Sequence, residues 1–213
     1  AFADAGYAVL PDLSNAIIDM TEYGVPQNRK RIIILGVSKE HYGDKAEAMV
    51  EKFYSSYLPE YKIEKKATVR DAIGDLPKLR PLDEPISYLG RKLSHSVSDP
   101  LINGHISRFH NKRDIELFKF LEEDIASGRM KYTSAKSLKT LYTKLTGKTS
   151  NVHKYYVLRW DEPSNLIPAH LFKDGLRHIH PDPEQARTIT VREAARLQTF
   201  PDDYYFNCSQ TDA

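Results

Sequence analysis

An unbroken apolar run at residues 32–35 constrains the fold of this 213-residue chain more than any other feature. Three isoleucines precede a leucine, and β-branched side chains favour extended backbone. A strand that is apolar at every position has no face suited to water. Residues 31–37 are therefore predicted to form a strand that is buried on both faces. Residues 6–10 are also mostly apolar and predict a second strand.

The apolar run is preceded by a turn and by an alternating polar pattern. Gly24 and Pro26 predict an ordered turn rather than a helix, and Gln27, Arg29 and Arg31 follow it. On extended backbone, residues two apart project to one face, so these three side chains are expected to point the same way. One amide and two guanidiniums suit an anionic backbone and the carbonyl oxygen of a base, because a guanidinium donates two parallel hydrogen bonds. A solvated basic turn ahead of a strand is the alternative.

Residues 187–204 contain a helix whose two ends are marked in the sequence. Thr190 and Glu193 form a capping box, in which Thr190 caps the helix and Glu193 reaches back to the amide of the cap. Small and apolar residues then give the helix a close-packing side, and Pro201 stops it. We predict that this segment is mainly structural.

The two segments, together and in this order, resemble two blocks of the DNA cytosine-5 methyltransferases. Residues 27–31 match the Gln-x-Arg-x-Arg block called motif VIII, with Lys30 at a variable position. Residues 190–201 match the Thr-x-Arg-Glu-x-Ala-Arg-Leu-Gln-x-Phe-Pro block called motif IX. The resemblance implies an α/β fold, namely the truncated last part of an S-adenosylmethionine-dependent methyltransferase domain, joined to an irregular α+β target recognition domain.

The same resemblance implies a division of the chain and roles for the motif VIII residues. The parts are residues 1–80, the C-terminal part of the catalytic α/β domain; residues 81–185, the target recognition domain; and residues 186–213, the motif IX helix and domain junction. Support of a flipped base is implied for Gln27, Arg29 and Arg31. Arg31 would help to hold the cytosine, and Arg29 would support the same pocket or the adjacent phosphate. Because motif IX resembles the family element that anchors the recognition domain, four residues are expected to organise the domain junction rather than perform chemistry: Thr190, Arg192, Glu193 and Arg196.

Other blocks of the family do not occur in this chain. The Pro-Cys dipeptide, the Glu-Asn-Val block, the Phe-x-Gly-x-Gly cofactor loop and the Gly-Asn-Ala-Val block are all absent. We therefore expect a C-terminal fragment of a DNA (cytosine-5-)-methyltransferase. In the intact protein, a thiolate would attack C6 of a flipped cytosine and the methyl group of S-adenosylmethionine would pass to C5.

The fragment alone is expected to bind no S-adenosylmethionine and to be inactive. Its one cysteine, Cys208, follows the motif IX helix and is preceded by Asn207 instead of Pro. A catalytic thiol needs neighbours that lower its pKa, in a cleft that faces the cofactor. The sequence around Cys208 does not predict such a cleft.

Composition limits the compartment and the partners. The net charge of +2 is nearly balanced, so bulk charge says little about nucleic acid. A single cysteine excludes an internal disulfide and a multi-cysteine metal site. No apolar run approaches the roughly 20 residues that span a bilayer. We expect a bacterial cytoplasmic, nucleoid-associated protein. Its expected partners are double-stranded DNA and the missing N-terminal catalytic portion of the same protein, with no membrane contact.

The rest of the chain is predicted to be mostly helical. Periodicity predicts helices at residues 44–58, 112–127 and 134–145, and capping signals predict a short helix within residues 68–77. Residues 78–103 contain frequent Pro, Ser and Gly with no period, and are predicted to be a linker or loop-rich crossover. Residues 153–160 and 164–171 are predicted to be strand-like.

Between Arg129 and Trp160 the sequence contains no Asp or Glu. On the helix predicted within this stretch, the apolar residues share one arc, while Lys136, Lys139 and Lys144 lie elsewhere. This basic face is a candidate phosphate-contacting surface, and an ordinary solvated helix face is the alternative. The loop that follows supplies residue types able to contact base edges or phosphates: Lys148, Thr149, Ser150, Asn151 and His153.

The histidines do not predict a metal site. Only His178 and His180 are close in sequence, and no Cys or Glu stands beside them. Residues 160–170 instead resemble a Trp-x-x-Pro-Ser-x-Thr-Ile-x-Ala-His segment of bacterial members of the family. Leu166 replaces the usual Thr and Pro168 replaces a small polar residue.

Three alternatives stay open on the sequence. The chain could be a DNA-binding module without enzymatic activity, or a relative of the RNA cytosine methyltransferases, since one eukaryotic branch of the family methylates tRNA. It could also be a scaffold whose partner supplies the missing portions.

Overall fold

The computed structural model describes residues 1–169, 171 and 175–207. Its strands are β1 (Tyr7–Ala8), β2 (Ile17–Asp19), β3 (Lys30–Ile32), β4 (Val37–Ser38), β5 (Pro81–Tyr88) and β6 (Arg91–His95). Its α-helices are α1 (Lys39–Tyr42), α2 (Lys45–Lys52), α3 (Leu58–Glu60), α4 (Val69–Ile73), α5 (Lys112–Ala126), α6 (Ala135–Thr146) and α7 (Val191–Leu197). None of the helices within the described ranges is long and apolar enough to cross a bilayer.

The strands pair as three antiparallel ribbons within the described residues. β1 pairs with β4, and Tyr7 lies opposite Ser38. β2 pairs with β3, and Ile18 lies opposite Arg31. β5 and β6 form a hairpin that carries one irregularity between Pro81 and Ile86. The fold mixes helix and strand as expected, and the α-helices contribute about half of the buried apolar side chains of the described residues.

The prediction of one strand at residues 31–37, buried on both faces, is wrong. The backbone is regular strand only in β3 and β4, and the side chain of Ile32 is 53% exposed. Ile33 and Ile34 are also exposed. The physical reason is that β3 belongs to a two-stranded ribbon rather than to a covered sheet, and the described part of the chain leaves its side chains exposed. The three isoleucines form an exposed apolar patch.

The prediction of a linker at residues 78–103 is also wrong, because β5 and β6 form a hairpin there. Two features hid it. Pro85 lies within β5, at the irregularity of the ladder, where a missing amide is tolerated. The two-residue turn is made by Leu89 and Gly90, whereas Asn-Gly or Asp-Gly is the usual sequence signal of such a turn.

The predicted helices are confirmed with small changes in their bounds. α5 and α6 match the expected helices, capped by Asn111 and Ser134 respectively. α4 has the predicted capping box between Thr68 and Asp71. The helix predicted at residues 44–58 begins with α2, continues through a π turn at Phe53–Tyr57 and ends with α3.

The strand-like predictions for the C-terminal third fail. Val157 and Ser164 form only isolated bridges, to Ile179 and Gln27 respectively. Long-range backbone contacts, rather than regular ladders, hold these segments. Part of the predicted piece at residues 164–171 lies outside the described residues.

The predicted division of the chain into three parts, with boundaries at residues 80/81 and 185/186, stays a prediction.

Two apolar clusters pack the helices against the irregular segments. In the first, α4 packs against α7, and the buried members are Val69, Ile73, Leu76, Leu158, Ile167, Ile189, Ala194 and Leu197. In the second, α5 packs against α6 and the segments that follow, and the buried members are Phe118, Leu121, Leu138, Leu141, Tyr155, Val157, Ile179 and Ala186. The first cluster matters for function because it fixes α7 against the N-terminal part of the chain.

A buried carboxyl and several buried histidines lie at the edges of these clusters. Burial raises the pKa of Glu122 to about 9, and both of its oxygens lack a hydrogen-bond partner among the described residues. Burial lowers the pKa of His95 to about 4 and that of His110 and His180 to about 3. These groups are therefore uncharged at neutral pH.

Glu122 should make the chain less stable as the pH rises. Between its unfolded pKa of 4.5 and its folded pKa of about 9, the unfolded state has lost the proton that the folded state keeps. The free energy of unfolding then falls by up to about 1.4 kcal/mol per pH unit. The buried histidines act oppositely, and their destabilisation appears as the pH falls below about 6.5. Stability should therefore be greatest near pH 6.5.

In the Glu122→Gln variant, the free energy of unfolding should fall less steeply as the pH rises above 6.5. Urea unfolding at pH 6.5 and pH 8.5 measures this difference. The matched control is Glu123→Gln, because Glu123 is its exposed neighbour on α5. The control should lose stability with pH as the unmodified chain does. An identical pH slope in all three proteins would show that Glu122 is ionised in the folded state.

Candidate functional site

The motif VIII segment is fixed to the rest of the chain by backbone hydrogen bonds. The amide of Asn28 donates to the carbonyl of Ser164 at 2.8 Å, and the amide of Ser164 donates to the carbonyl of Pro26 at 2.9 Å. The side-chain amide of Asn28 adds a 3.3 Å bond to the carbonyl of Pro163. The segment resembling a bacterial Trp-x-x-Pro-Ser motif thus anchors residues 26–28.

The structure separates the three side chains that alternation places together. Arg29 and Arg31 line one cavity of about 520 Å³. Gln27 is fully buried and is not among the residues that line this cavity. Gln27 forms an isolated bridge with Ser164, and β3 begins only at Lys30, so the regular strand includes Arg31 but neither Gln27 nor Arg29. Neither the nitrogen nor the oxygen of the Gln27 amide has a hydrogen-bond partner among the described residues.

The wall opposite the arginines comes from α7 and the segment before it. The small side chains of Ala194 and Ala195 leave room beside Gln198, and the remaining lining residues are apolar. They are Leu166, Ile167, Pro168, Ala169, Leu171, Val191, Phe200 and Phe206. None of these lining residues is acidic. Two guanidiniums facing an apolar wall suit a planar group that carries carbonyl oxygens or an adjacent phosphate.

α7 is fixed in place by a buried ion pair that the sequence did not reveal. The guanidinium of Arg187 donates to both carboxylate oxygens of Glu193, at 2.6 and 2.7 Å, and both side chains are almost completely buried. Burial by itself raises the pKa of Glu193, but Arg187 more than offsets this effect and holds the pKa well below its ordinary value. Glu193 therefore stays ionised.

Glu193 has a second contact, with the cap of α7. One of its oxygens accepts a 2.7 Å hydrogen bond from the amide of Thr190, and the hydroxyl of Thr190 accepts one from the amide of Glu193. The ring of His105 bridges the Thr190 hydroxyl and the carbonyl of Pro77. The start of α7 is thus tied to the chain that follows α4. The sequence offers one signal for Arg187, which is a basic residue that stands immediately before the apolar and capping residues of motif IX.

Arg192 and Arg196 connect α7 to other segments. Arg192 is buried and donates to the backbone carbonyls of Asn103, Pro201 and Tyr204. Arg196 forms ion pairs with Asp75 and with Asp202. These contacts place both arginines between segments that are distant in sequence. The predicted role at a domain junction stays a prediction.

The lysines of the predicted basic face are available to a ligand. Lys136 and Lys144 are exposed on α6 and Lys139 is half-buried, while Leu138 and Leu141 on the same helix pack into the core. No ion pair is formed by these lysines with any carboxylate in the described part of the chain.

The loop after α6 continues this surface. Lys148, Thr149 and Asn151 are exposed, and Ser150 and His153 are half-buried. Partial burial lowers the pKa of His153, and the nearby charges of Arg177 and Lys139 lower it further.

No group of three metal-ligating side chains occurs within the ranges that the structure describes. The buried histidines contact protein groups instead, as when His95 Nε2 lies 2.8 Å from the carbonyl of Gln185. His178 and His180 are both buried, and His180 packs edge-on against Trp160. His170 and Cys208, which the sequence singled out, lie outside the described residues.

Comparison with known proteins gives one family. The model of the C-5 cytosine-specific DNA methylases matches residues 1–213. The type II methyltransferase M.Bpa9945I of Bacillus paralicheniformis is 33% identical to this chain, with 99% of the chain and 49% of the relative covered. The type II methyltransferase M.AgeI of Thalassovita gelatinovora is 29% identical, with 91% and 59% covered. A DNA (cytosine-5)-methyltransferase 1A of rice, Oryza sativa, is 28% identical, with 89% and 15% covered.

One solved structure supports the fold. A prophage-encoded Escherichia coli protein, described as a DNA modification methyltransferase, has a TM-score of 0.50 and 20% identity, with 93% of this chain and 52% of that one covered. At this identity the likeness concerns the fold alone. The chain spans about half the length of the first curated relatives it matches, 49% of one and 55% of another.

Proposed function

Because the chain belongs to the C-5 cytosine-specific DNA methylase family, we propose that it supplies the flipped-base contacts and the target-recognition surface of a DNA (cytosine-5-)-methyltransferase. Members of this family transfer a methyl group, with S-adenosylmethionine as the donor. Type II relatives with matching sequence point to methylation of a specific DNA site as part of restriction and modification.

The cavity between motif VIII and α7 carries this proposal. Arg29 and Arg31 line it together, although both are cations that would repel one another without an anionic or carbonyl-rich ligand. A cytosine turned out of the duplex brings a carbonyl oxygen to one guanidinium and its own phosphate to the other. The apolar wall that includes Ala194 and Ala195 gives the flat ring a surface to pack against.

Arg31 has the geometry of a group that acts on the base. It is exposed, and one of its Nη atoms already donates a 2.7 Å hydrogen bond to the carbonyl of Lys30, which orients the guanidinium. When a thiolate adds to C6 of cytosine, negative charge develops on the ring. A guanidinium that donates to the ring carbonyl stabilises that charge more than it stabilises the neutral base. Arg29, which is half-buried, would hold the adjacent phosphate.

The same cavity does not fit S-adenosylmethionine. The cofactor carries a sulfonium cation, an ammonium group and ribose hydroxyls, which call for acidic side chains and a backbone loop, beside an adenine ring and one carboxylate. The described lining residues include two arginines and no carboxylate. We therefore propose that the N-terminal portion holds the cofactor and the nucleophile, and that this chain holds the base.

The exposed isoleucines support this division. Ile32, Ile33 and Ile34 follow directly after Arg31 and form an apolar patch at the incomplete β2–β3 ribbon. Patches of this kind on soluble proteins mark a surface that another element covers. The relatives have about as much chain again outside the matched region. We propose that this N-terminal portion, acting in the bacterial cytoplasm, completes the sheet beside Arg31.

For the DNA-reading surface we propose α6 and the loop that follows it. The lysines of α6 contact phosphates, and the polar residues of residues 148–153 reach base edges. The support is the acid-free sequence, the exposure of Lys136 and Lys144, and the packing of the opposite face of α6 into the core.

Changing Lys136, Lys139 and Lys144 together to alanine should weaken DNA binding and flatten its salt dependence. Each phosphate contact that is lost reduces the slope of log K against log salt by about 0.9, so that three contacts reduce it by about 2.7. The measurement is fluorescence anisotropy of a labelled mixed-sequence duplex titrated with the 213-residue chain at several KCl concentrations.

The control is a triple alanine variant of Lys45, Lys52 and Lys65, which are exposed lysines outside the acid-free stretch. For this control, the slope of log K against log salt should equal that of the unmodified chain. If both variants lost the same DNA affinity, only the net charge of the chain would matter. An unchanged slope in the α6 variant would move the DNA surface elsewhere, most plausibly to the Lys148 loop. Tighter binding to a duplex RNA than to the duplex DNA would favour the RNA methyltransferase alternative.

A further inference from the structure

The β5–β6 hairpin ends in an exposed leucine on a strained turn. Leu89 is 79% exposed, and Tyr88 and Arg91 are paired on either side of a turn made of Leu89 and Gly90. Both turn residues have positive φ, 49° for Leu89 and 73° for Gly90. This is the pattern of a type I′ turn, in which Asn is favoured at the first position because it tolerates positive φ. The turn by itself does not call for a leucine.

The outer half of the hairpin is basic. Residues 85–98 contain no Asp or Glu, and Arg91 and Lys92 are both exposed just after the tip. The ammonium of Lys92 lies 4.8 Å from the centre of the Phe109 ring, which positions this charge without neutralising it. The acidic residues of β5, Asp83 and Glu84, lie at the other end of the hairpin, within the irregular part of the ladder.

The hairpin tip adjoins the arginine-lined cavity. A second cavity, of about 290 Å³, lies between the tip and residues 205–207, and Tyr88, Leu89 and Arg91 line one side of it. Val191 and Phe206 line both this cavity and the one that holds Arg29 and Arg31. The two cavities therefore share a wall, so the hairpin tip and the proposed base pocket are neighbours.

That shared wall is held firmly. The amide of Phe206 donates a 2.8 Å hydrogen bond to the side-chain oxygen of Asn103, and the guanidinium of Arg192 lies 5.5 Å from the centre of the Phe206 ring. The first turn of α7 supplies Val191, and Gly104 packs against that side chain. These contacts hold the wall between the two cavities in place.

We propose that the hairpin tip is a second DNA contact of this chain, in which Arg91 and Lys92 bind phosphates and Leu89 enters a groove as an apolar wedge. This inference rests on the proposed function, because the same duplex that places a cytosine beside Arg31 must pass over the neighbouring surface. Apolar side chains at basic tips unstack or widen DNA at the contact. Such a wedge beside the base pocket lowers the cost of turning a base out of the stack.

Removing the two cations together tests the phosphate contacts. Arg91→Ala combined with Lys92→Ala should weaken binding of the 213-residue chain to a mixed-sequence duplex about tenfold and lower the salt slope by about 1.8, since each contact contributes about 0.9. A double alanine variant of Lys45 and Lys65, outside the hairpin, is the matched control and should leave the affinity and the slope unchanged.

Leu89→Asn tests the wedge without disturbing the turn. Asn-Gly is a favoured pair for a type I′ turn, so the variant should fold at least as stably as the unmodified chain. It should nevertheless bind the duplex several-fold more weakly, with an unchanged salt slope, because the lost contact is apolar.

The outcomes separate this inference from the proposed function. An unmodified chain that does not bind the duplex would overturn both. Normal binding by the unmodified chain and by both hairpin variants would overturn the hairpin contact and leave the base pocket standing. If the variants bind DNA normally but associate less with the separately expressed N-terminal portion, the hairpin is a protein interface and the inference is wrong.

Discussion

Replacing Arg31 with alanine is expected to lower methyl transfer to cytosine by at least about a hundredfold when the chain works together with its N-terminal portion. Removal of one donor that faces developing negative charge costs about 10²–10³ in rate. Arg31 lies on β3 and lines the cavity, and the exposed isoleucines follow it directly in the chain. The loss should appear in the rate of transfer more than in DNA affinity, because the contact strengthens as charge develops.

The assay combines the 213-residue chain, a separately expressed N-terminal portion, a duplex and a donor with a labelled methyl group. Lys30→Ala is the matched control, since Lys30 is an exposed cation adjacent to Arg31 on β3, and it should retain activity within about threefold, as expected for a surface side chain without a substrate contact. The chain alone should give no transfer above background. Transfer by the chain alone that Cys208→Ser abolishes would place the nucleophile in this chain and contradict the division of roles.

The sequence predicted well those elements whose signals are local. Capping boxes and helical periodicity located α4, α5, α6 and α7, because a helix satisfies its own backbone and its apolar face repeats in sequence. The two motif segments were found for the same reason, since each is contiguous. The cavity between them required the fold, which brings Arg29 and Arg31 beside Ala194 and Ala195.

Most of the failures concern partners distant in sequence, whereas the missed hairpin concerns a local turn. A run of isoleucines indicates a strand, but whether its faces are covered depends on neighbours that this chain does not supply among its described residues. The β5–β6 hairpin escaped notice because Leu89 occupies a turn position that favours Asn. The position of Arg187 before motif IX did not reveal its burial, because a buried arginine is recognisable only once its carboxylate partner is known.

Arg187→Met is expected to destabilise the chain by about 3–5 kcal/mol, because it leaves the carboxylate of Glu193 buried without its ion-pair partner. The loss is a large share of the total stability of a domain this size, about 5–15 kcal/mol. Arg187 is completely buried and makes two short hydrogen bonds to Glu193. Arg196→Met is the contrasting control, because its partners Asp75 and Asp202 are exposed. That variant should lose only about 1 kcal/mol.

A double-mutant cycle separates the ion pair from the helix cap. Glu193→Gln keeps an oxygen that can accept from the amide of Thr190, so it removes the charge and leaves the cap largely intact. Combining it with Arg187→Met should cost several kcal/mol less than the sum of the two single changes, since neither charge is then left buried alone. Urea unfolding at pH 7 measures all four proteins.

The pH dependence gives an independent check on the same pair. Arg187 holds the pKa of Glu193 below its ordinary 4.5. The ion pair therefore contributes fully to the free energy of unfolding above pH 4.5, and this contribution is lost as the pH falls through the lower pKa of the folded state. The stability difference between the unmodified chain and Arg187→Met should therefore shrink as the pH falls below about 4.5. A difference that stays constant from pH 7 to pH 3 would mean that Arg187 stabilises α7 by packing alone, and the motif IX helix would then owe its position to the apolar contacts of Ala194 and Leu197.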